Sequence, residues 1–450
     1  MRPAYFLMGA LLSCAAEVGD GTGTSGDVAS ADGADGGGDA TDSVEADGTG
    51  ASDGTDSTDS TDASDSTDAS DGADGGTEGC TVVVPPGADA QDALQTALIE
   101  AVPDSVVCLE EGTYELTAEL SLSVNGVTVR GHGADRTILD FTGQLVGANG
   151  LKVTSNDVSL EAFAVLNPAG DGIRASASRS VAFRHLRVEW TTPGSVENGG
   201  YGLYTVQCEE VLIDGCVVVG ASDSGIYVGQ SKNALVIRSE AYGNVTGIEI
   251  ENTTRSTVVD NYVHDNAAGI LVFNLPELPI GNGAQAKVDG NRIENNNGAN
   301  FAEPGSIVSK VPSGCGVAVD AADETEITNN TITGNATFGV VVLHHSSVIF
   351  GEYDDPKFDP YPAKTWIHHN TFSGNGTNPQ GIASALPMPK PVPDVVWDGC
   401  VGDEAPELCI GDNGDAGFLN LGFCKEFATS TDATPHACQG TAQATVDPVL

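Results

Sequence analysis

A glycine followed by a short alternating apolar segment returns along this chain at Gly150, Gly172, Gly202, Gly225, Gly247, Gly269, Gly316 and Gly339. The intervals are 22, 30, 23, 22, 22, 47 and 23 residues. The underlying step is therefore 22 or 23; the longer intervals carry inserted loops or, at 47, an extra degenerate coil. Typical segments are Gly225-Ile-Tyr-Val, Gly247-Ile-Glu-Ile and Gly269-Ile-Leu-Val. Alternation of this kind marks a strand with one buried face. A second short strand follows in each unit, as in Val211-Leu-Ile and Leu235-Val-Ile, and a third comes after a turn. A unit this small cannot bury its own apolar face, but stacked copies can, with strands about 4.8 Å apart along the stack. The chain is expected to wind into a solenoid of short parallel strands.

A polar template agrees. Asn261-Tyr-Val-His-Asp-Asn266, Asn291-Arg-Ile-Glu-Asn-Asn296, Asn330-Thr-Ile-Thr-Gly-Asn335 and Asn370-Thr-Phe-Ser-Gly-Asn375 share one pattern. Asn tolerates left-handed geometry and bonds nearby backbone, so stacked Asn at a tight turn satisfies groups otherwise left without partners. The open ends of a solenoid need covers. Residues 90–102 have the spacing of an amphipathic helix, with Leu94, Leu98, Ala101 and Val102 on one face, and are expected to cap the N-terminal end. The repeat is expected to stop near residue 378, with an irregular Pro- and Cys-containing tail over 379–450 closing the other end.

The chain ahead of the repeat has a different composition. Arg2 precedes an apolar run from Ala4 to Leu12, too short to span a membrane and suited to a signal peptide. Residues 15–79 are almost entirely Gly, Ser, Thr, Ala and Asp, without Lys, Arg or aromatic side chains. Such a segment cannot bury enough apolar surface to order itself and is expected to act as an acidic tether. It holds 18 of the 64 acidic residues, which leaves 46 acids against 17 Lys and Arg in 80–450. That surplus argues against nucleic acid and anionic lipid as partners and disfavours polyanionic sugars unless a cation bridges them. In an oxidising envelope, Cys80 suits a bridge to Cys108, while Cys400, Cys409, Cys424 and Cys438 suit two more. Cys208, Cys216 and Cys315 fall within the repeats as buried thiols.

Two resemblances add to this. Leu11-Leu12-Ser13-Cys14 resembles the lipobox of bacterial lipoproteins, which implies a lipoprotein signal peptide over residues 1–14, with Cys14 lipidated as the mature N-terminus. Ala15 in place of Asp implies the outer membrane by the same likeness. Leu109-Glu-Glu-Gly-Thr-Tyr114 and Gly126-Val-Thr-Val-Arg-Gly-His-Gly133 resemble the entry to pectate-lyase-like β-helix proteins. Gly220-Ala-Ser-Asp-Ser-Gly-Ile-Tyr-Val-Gly-Gln230 and Gly247-Ile-Glu-Ile-Glu-Asn252 resemble bacterial secreted parallel β-helix repeat-containing proteins, over about residues 80–375. The expected fold is all-β, a right-handed parallel β-helix of roughly ten coils over 80–378. The family likeness implies architecture and little chemistry.

Candidate chemistry lies on the Gly-led strands. If Ile248 and Ile250 face the core, Glu249 and Glu251 face solvent. The same register puts Lys152, Arg174, Tyr204, Tyr227, Glu249, Leu271, Ala318 and Val341 in one outer column; Glu251, Phe273 and Asp320 fall in the next. Insertions at 191–201, 274–283, 297–312 and 346–364 are expected to rise beside this face and form a groove. Tyr rings offer faces to sugar rings, and Lys152, Arg174, Phe273, Asp320 and the two Glu complete a candidate polysaccharide site. Glu249 and Glu251, with Cα atoms about 6.6 Å apart, could share a calcium ion or act as an acid/base pair. With Arg174 they are the catalytic candidates for a uronate lyase or C5-epimerase, although Arg174 stands three coils from Glu249, roughly 14 Å. A non-catalytic glycan-binding module and an adhesive rod are the other readings, each expected as a monomer.

Overall fold

The computed structural model describes residues 79–450. The expected signal peptide, Cys14 and all but the end of the acidic segment over 15–79 lie outside the described residues. Nearly every coil contributes one strand to each of three parallel sheets, of 12, 11 and 10 strands. One turn of the chain runs Ser224–Gly229, Lys232–Ile237 and Glu240–Tyr242, and Thr246–Glu251 then starts the next, in register on Ser224–Gly229. The architecture is a parallel β-helix, as the 22-residue step requires.

The packing explains the repeat. Ile226, Ile248, Ile270, Val317 and Val340 stack as one fully buried column inside the coil. Each such side chain contributes about 1.5–3 kcal/mol by leaving water. The leading glycine is required by close approach: a Cβ on Gly202 would run into the Val218 side chain and the Gly225 carbonyl. The Asn template builds two buried ladders. Asn261, Asn291, Asn330, Asn370 and Asn413 bond in series at 2.9–3.1 Å. Asn244, Asn266, Asn296, Asn335 and Asn375 form the second at 3.0–3.3 Å.

The entry helix spans Ala90–Glu100 and buries Ala90, Leu94 and Leu98. It stops two residues short of Val102, which is 61% exposed and takes no part in the cap. Bridges join Cys80 to Cys108, Cys400 to Cys424 and Cys409 to Cys438, and Cys208, Cys216 and Cys315 are free and buried. The expected end of the repeat at 378 is corrected: Val395–Trp397, Leu408–Ile410 and Phe418–Asn420 continue two of the sheets. Val395, Val396 and Trp397 are buried on both faces, so they lack the alternation that marks the earlier strands. The last residues do not close the end either. They run back along the 12-stranded sheet, where the Gln443 N–H bonds Glu326, the Val446 N–H bonds Thr257 and the Val449 N–H bonds Glu210.

Candidate functional site

Strand pairing places Lys152, Arg174, Tyr204, Tyr227, Glu249, Leu271, Ala318 and Val341 in one unbroken outer column. Glu251, Phe273 and Asp320 are in line beside it. The column is not uniform. Lys152 is exposed and Arg174 and Tyr204 are half-buried, whereas Tyr227, Glu249, Leu271 and Val341 are buried.

The solvent-facing placement expected for Glu249 and Glu251 is corrected here. Both point away from the core, yet they are only 2% and 8% exposed. Chain segments around 306–312, 349–350 and 382–386 arch over the outer face and enclose a cavity of about 300 Å³. Its floor includes Leu271, Phe273, Ala318 and Val341, and its roof includes Val308, Ile349, Phe350 and Leu386. Lys310 ties two roof segments together, its Nζ donating to the Phe350 carbonyl at 2.9 Å. The groove expected from the loops is thus roofed over its C-terminal part. The segment at 382–386 was not legible in advance, because its apolar residues sit in a Pro-rich stretch without strand alternation.

Three residues missed by the outer-column pattern join the site. Tyr201, at the start of its strand, stacks on Tyr204 at 4.6 Å between centroids and meets Tyr227 at 4.8 Å. Tyr204 and Tyr227 are also 4.8 Å apart, so the three rings form one cluster. Asp171 and Asp223 lie just ahead of Gly172 and Gly225. The signal was an acid one or two residues before a repeat glycine. The Arg174 guanidinium sits 4.7 Å above the Tyr204 ring and 3.5 Å from Asp171. Tyr227 folds back over Gly229, where any Cβ would collide with its ring.

The acids occupy the junction between this cluster and the cavity, which Tyr201, Asp223, Glu249 and Glu251 all line. Burial pushes Glu251 up to about 7, against a hydrogen bond with Tyr227. Burial and then the Glu251 charge push Asp223 up to about 7. Burial, with the charges of Asp223 and Glu251 added, holds Glu249 well above the usual carboxylate range. Asp171 rises to about 6 through burial despite Arg174. Glu249 Oε1 has no hydrogen-bond partner although it is out of water. At neutral pH the site combines a protonated acid with two carboxyls near their midpoints, an arrangement suited to proton transfer.

Calcium fits this arrangement poorly. Among the described residues, the one group with three His, Cys or acidic donor atoms within 4.8 Å of one another is His344, Cys400 and Cys424. Those cysteines are bonded to each other. Among the described residues Glu249 and Glu251 find no third converging ligand, and the dry surroundings that raise their proton affinity oppose a dication. Asp320, the outermost candidate, is committed to His345, whose Nδ1 is 2.8 Å from Oδ2; its Oδ1 is unpartnered.

Comparison with known proteins concerns architecture. A family model described as a right-handed β-helix region matches residues 171–353. No curated protein matches the sequence. Among solved structures, the A-module of mannuronan C-5 epimerase AlgE4 from Azotobacter vinelandii is 16% identical with a TM-score of 0.53, covering 74% of this chain and 94% of that one. The AlgE6 A-module from the same organism is 14% identical, covering 72% and 88%, with a TM-score of 0.42. Pectate lyase Pel9A is 14% identical, covering 65% and 76%, with a TM-score of 0.41. At these identities the likeness extends to the fold alone.

Proposed function

We propose that this right-handed parallel β-helix repeat protein binds a neutral carbohydrate on the outer face of its 11-stranded sheet, and that Glu249, Asp223 and Glu251 act there as acid and base on a glycosidic bond. The supporting observation is the order along the paired strands: a half-buried Arg174 and a tyrosine cluster, then three carboxyls with raised proton affinity, Glu249 in the same column and Asp223 and Glu251 beside it. The rings of Tyr201 and Tyr204 and the Arg174 guanidinium provide a platform for sugar rings and hydroxyls. Glu249 gives its proton to the leaving oxygen as the glycosidic bond breaks. Water adds to the anomeric carbon, and its proton passes to the carboxylate of Asp223 or Glu251.

Uronate lysis or epimerisation is less well supported. It would bring a substrate carboxylate beside three acids, with Arg174 about 14 Å from Glu249 across three strand spacings and Lys310 bonded to the roof. The Azotobacter module is named for mannuronan epimerisation, and that name supports a carbohydrate reading only through shared fold. Lipidation at Cys14 and an outer-membrane location belong to the same proposal, with residues 15–79 as the tether.

The test is release of reducing ends from a panel of neutral oligosaccharides. Glu249→Gln should cut turnover at least about 100-fold while leaving binding within a few-fold. Tyr204→Ala should weaken binding about tenfold by removing the ring under the sugar. Unchanged behaviour of both variants would sink the proposal. Binding that Glu249→Gln merely weakens, with no product from the wild type, would reduce the site to a non-catalytic module.

A further inference from the structure

The apolar cavity is not needed to hold a sugar, and nothing in the acid/base scheme uses it. It opens directly behind the three carboxyls and continues the same column, from Glu249 to Leu271, Ala318 and Val341. Its volume of about 300 Å³ is about twice that of an apolar cavity known to admit benzene. The floor and roof are predominantly aliphatic and aromatic. A cavity so lined gains free energy by exchanging poorly bonded water for hydrocarbon.

Two buried oxygens direct the choice of occupant. Glu249 Oε1 faces the polar end without a partner, and Asp320 Oδ1 is unpartnered further along. Asp223, Glu249, Glu251 and Asp320 line the cavity against a single Lys310, which is already bonded to Phe350. An anionic amphiphile such as a fatty acid would bury its charge among these carboxyls with Lys310 already bonded elsewhere. An uncharged chain joined to a sugar through an oxygen carries no such cost, and it presents that oxygen to Glu249.

We infer that the site takes alkyl or aryl glycosides, with the sugar against the tyrosine cluster beside Glu249, the glycosidic oxygen at Glu249 and the apolar aglycone in the roofed cavity. This rests on the carbohydrate reading and adds the substrate class to it. The aglycone would leave as an alcohol or phenol carrying the proton from Glu249.

The test is a binding series on the full chain with methyl, butyl, hexyl and octyl glycosides of glucose, galactose and mannose. Unsubstituted oligosaccharides, octanol and octanoate serve as comparisons. Affinity should rise about fourfold per added methylene until the cavity is full, and octanoate should not bind. Ala318→Phe, which fills the floor, should flatten that slope. The slope on the wild-type protein stands as a measurement even if the variant does not fold. Oligosaccharide binding with no dependence on the alkyl chain overturns this inference and leaves the carbohydrate reading standing. Octanol binding as tightly as octyl glycoside, or no binding by any sugar, overturns both.

Discussion

Tyr227 and Glu249 are cross-strand neighbours, and each exposes less than a twentieth of its surface. An exposed strand glutamate would be ionised at neutral pH; here lost water, and then the charges of Asp223 and Glu251, raise the proton affinity of Glu249. That has a consequence for stability. Asp223 and Glu251 bind protons more tightly in the folded chain, rising from 3.8 and 4.5 to about 7. A raised carboxyl stabilises the fold fully below its unfolded value and loses that contribution as pH rises through its folded one. The loss falls between about pH 4 and pH 7 for this pair. Asp223→Asn removes the titrating group. Its melting temperature should therefore gain on the wild type as pH is raised from 5 to 8, which calorimetry across that range would show. A constant difference between the two proteins would mean that Asp223 ionises freely.

Elements stack here through ladders as much as through core side chains. Asn296 accepts from both the backbone and side-chain nitrogens of Asn266 and donates to Asn335 and the Val263 carbonyl. Asn296→Ala would leave these buried groups unpaired, at a cost of about 2–4 kcal/mol, read as a lowered urea midpoint. The C-terminal segment is a second such element. Removing residues 440–450 should expose the outer face of the 12-stranded sheet around Thr257 and lower the melting temperature, because Val446 is buried against it. These features differ in how far the sequence discloses them. The Asn ladders and the Gly-led columns recur at the coil period, so the paired register of Arg174, Tyr204, Tyr227 and Glu249 was legible. The roof was not. Val308, Ile349 and Leu386 come from three separate insertions with no common spacing, and their convergence depends on loop packing that leaves no periodic trace. Hence Glu249 was expected in water and is found beneath a lid of apolar side chains.

At the scale of the molecule, residues 80–450 carry 46 acids against 17 Lys and Arg. This field acts on any ligand before the site does. A polyuronate would meet repulsion along the whole solenoid as well as at Asp223 and Glu251. A neutral glycan would meet neither. Screening distinguishes these cases, since the Debye length shrinks from about 30 Å in dilute buffer to about 3 Å in molar salt. Affinity for a neutral oligosaccharide should change little across that range, while any binding of polyuronate should appear only at the high-salt end. Polyuronate binding that is strongest in dilute buffer would require Lys152 and Arg174 to outweigh the surrounding acids on this face. It would then return the uronate reaction to first place. Residues 17–79 hold 18 further acids, and the proposed lipid anchor at Cys14 lies ahead of them. Cys14→Ala should move the protein from the detergent phase to the aqueous phase in a phase-partition assay without altering glycan affinity, because anchoring and recognition occupy separate parts of the chain. Retention of the variant in the detergent phase would show that something other than Cys14 holds it to the membrane.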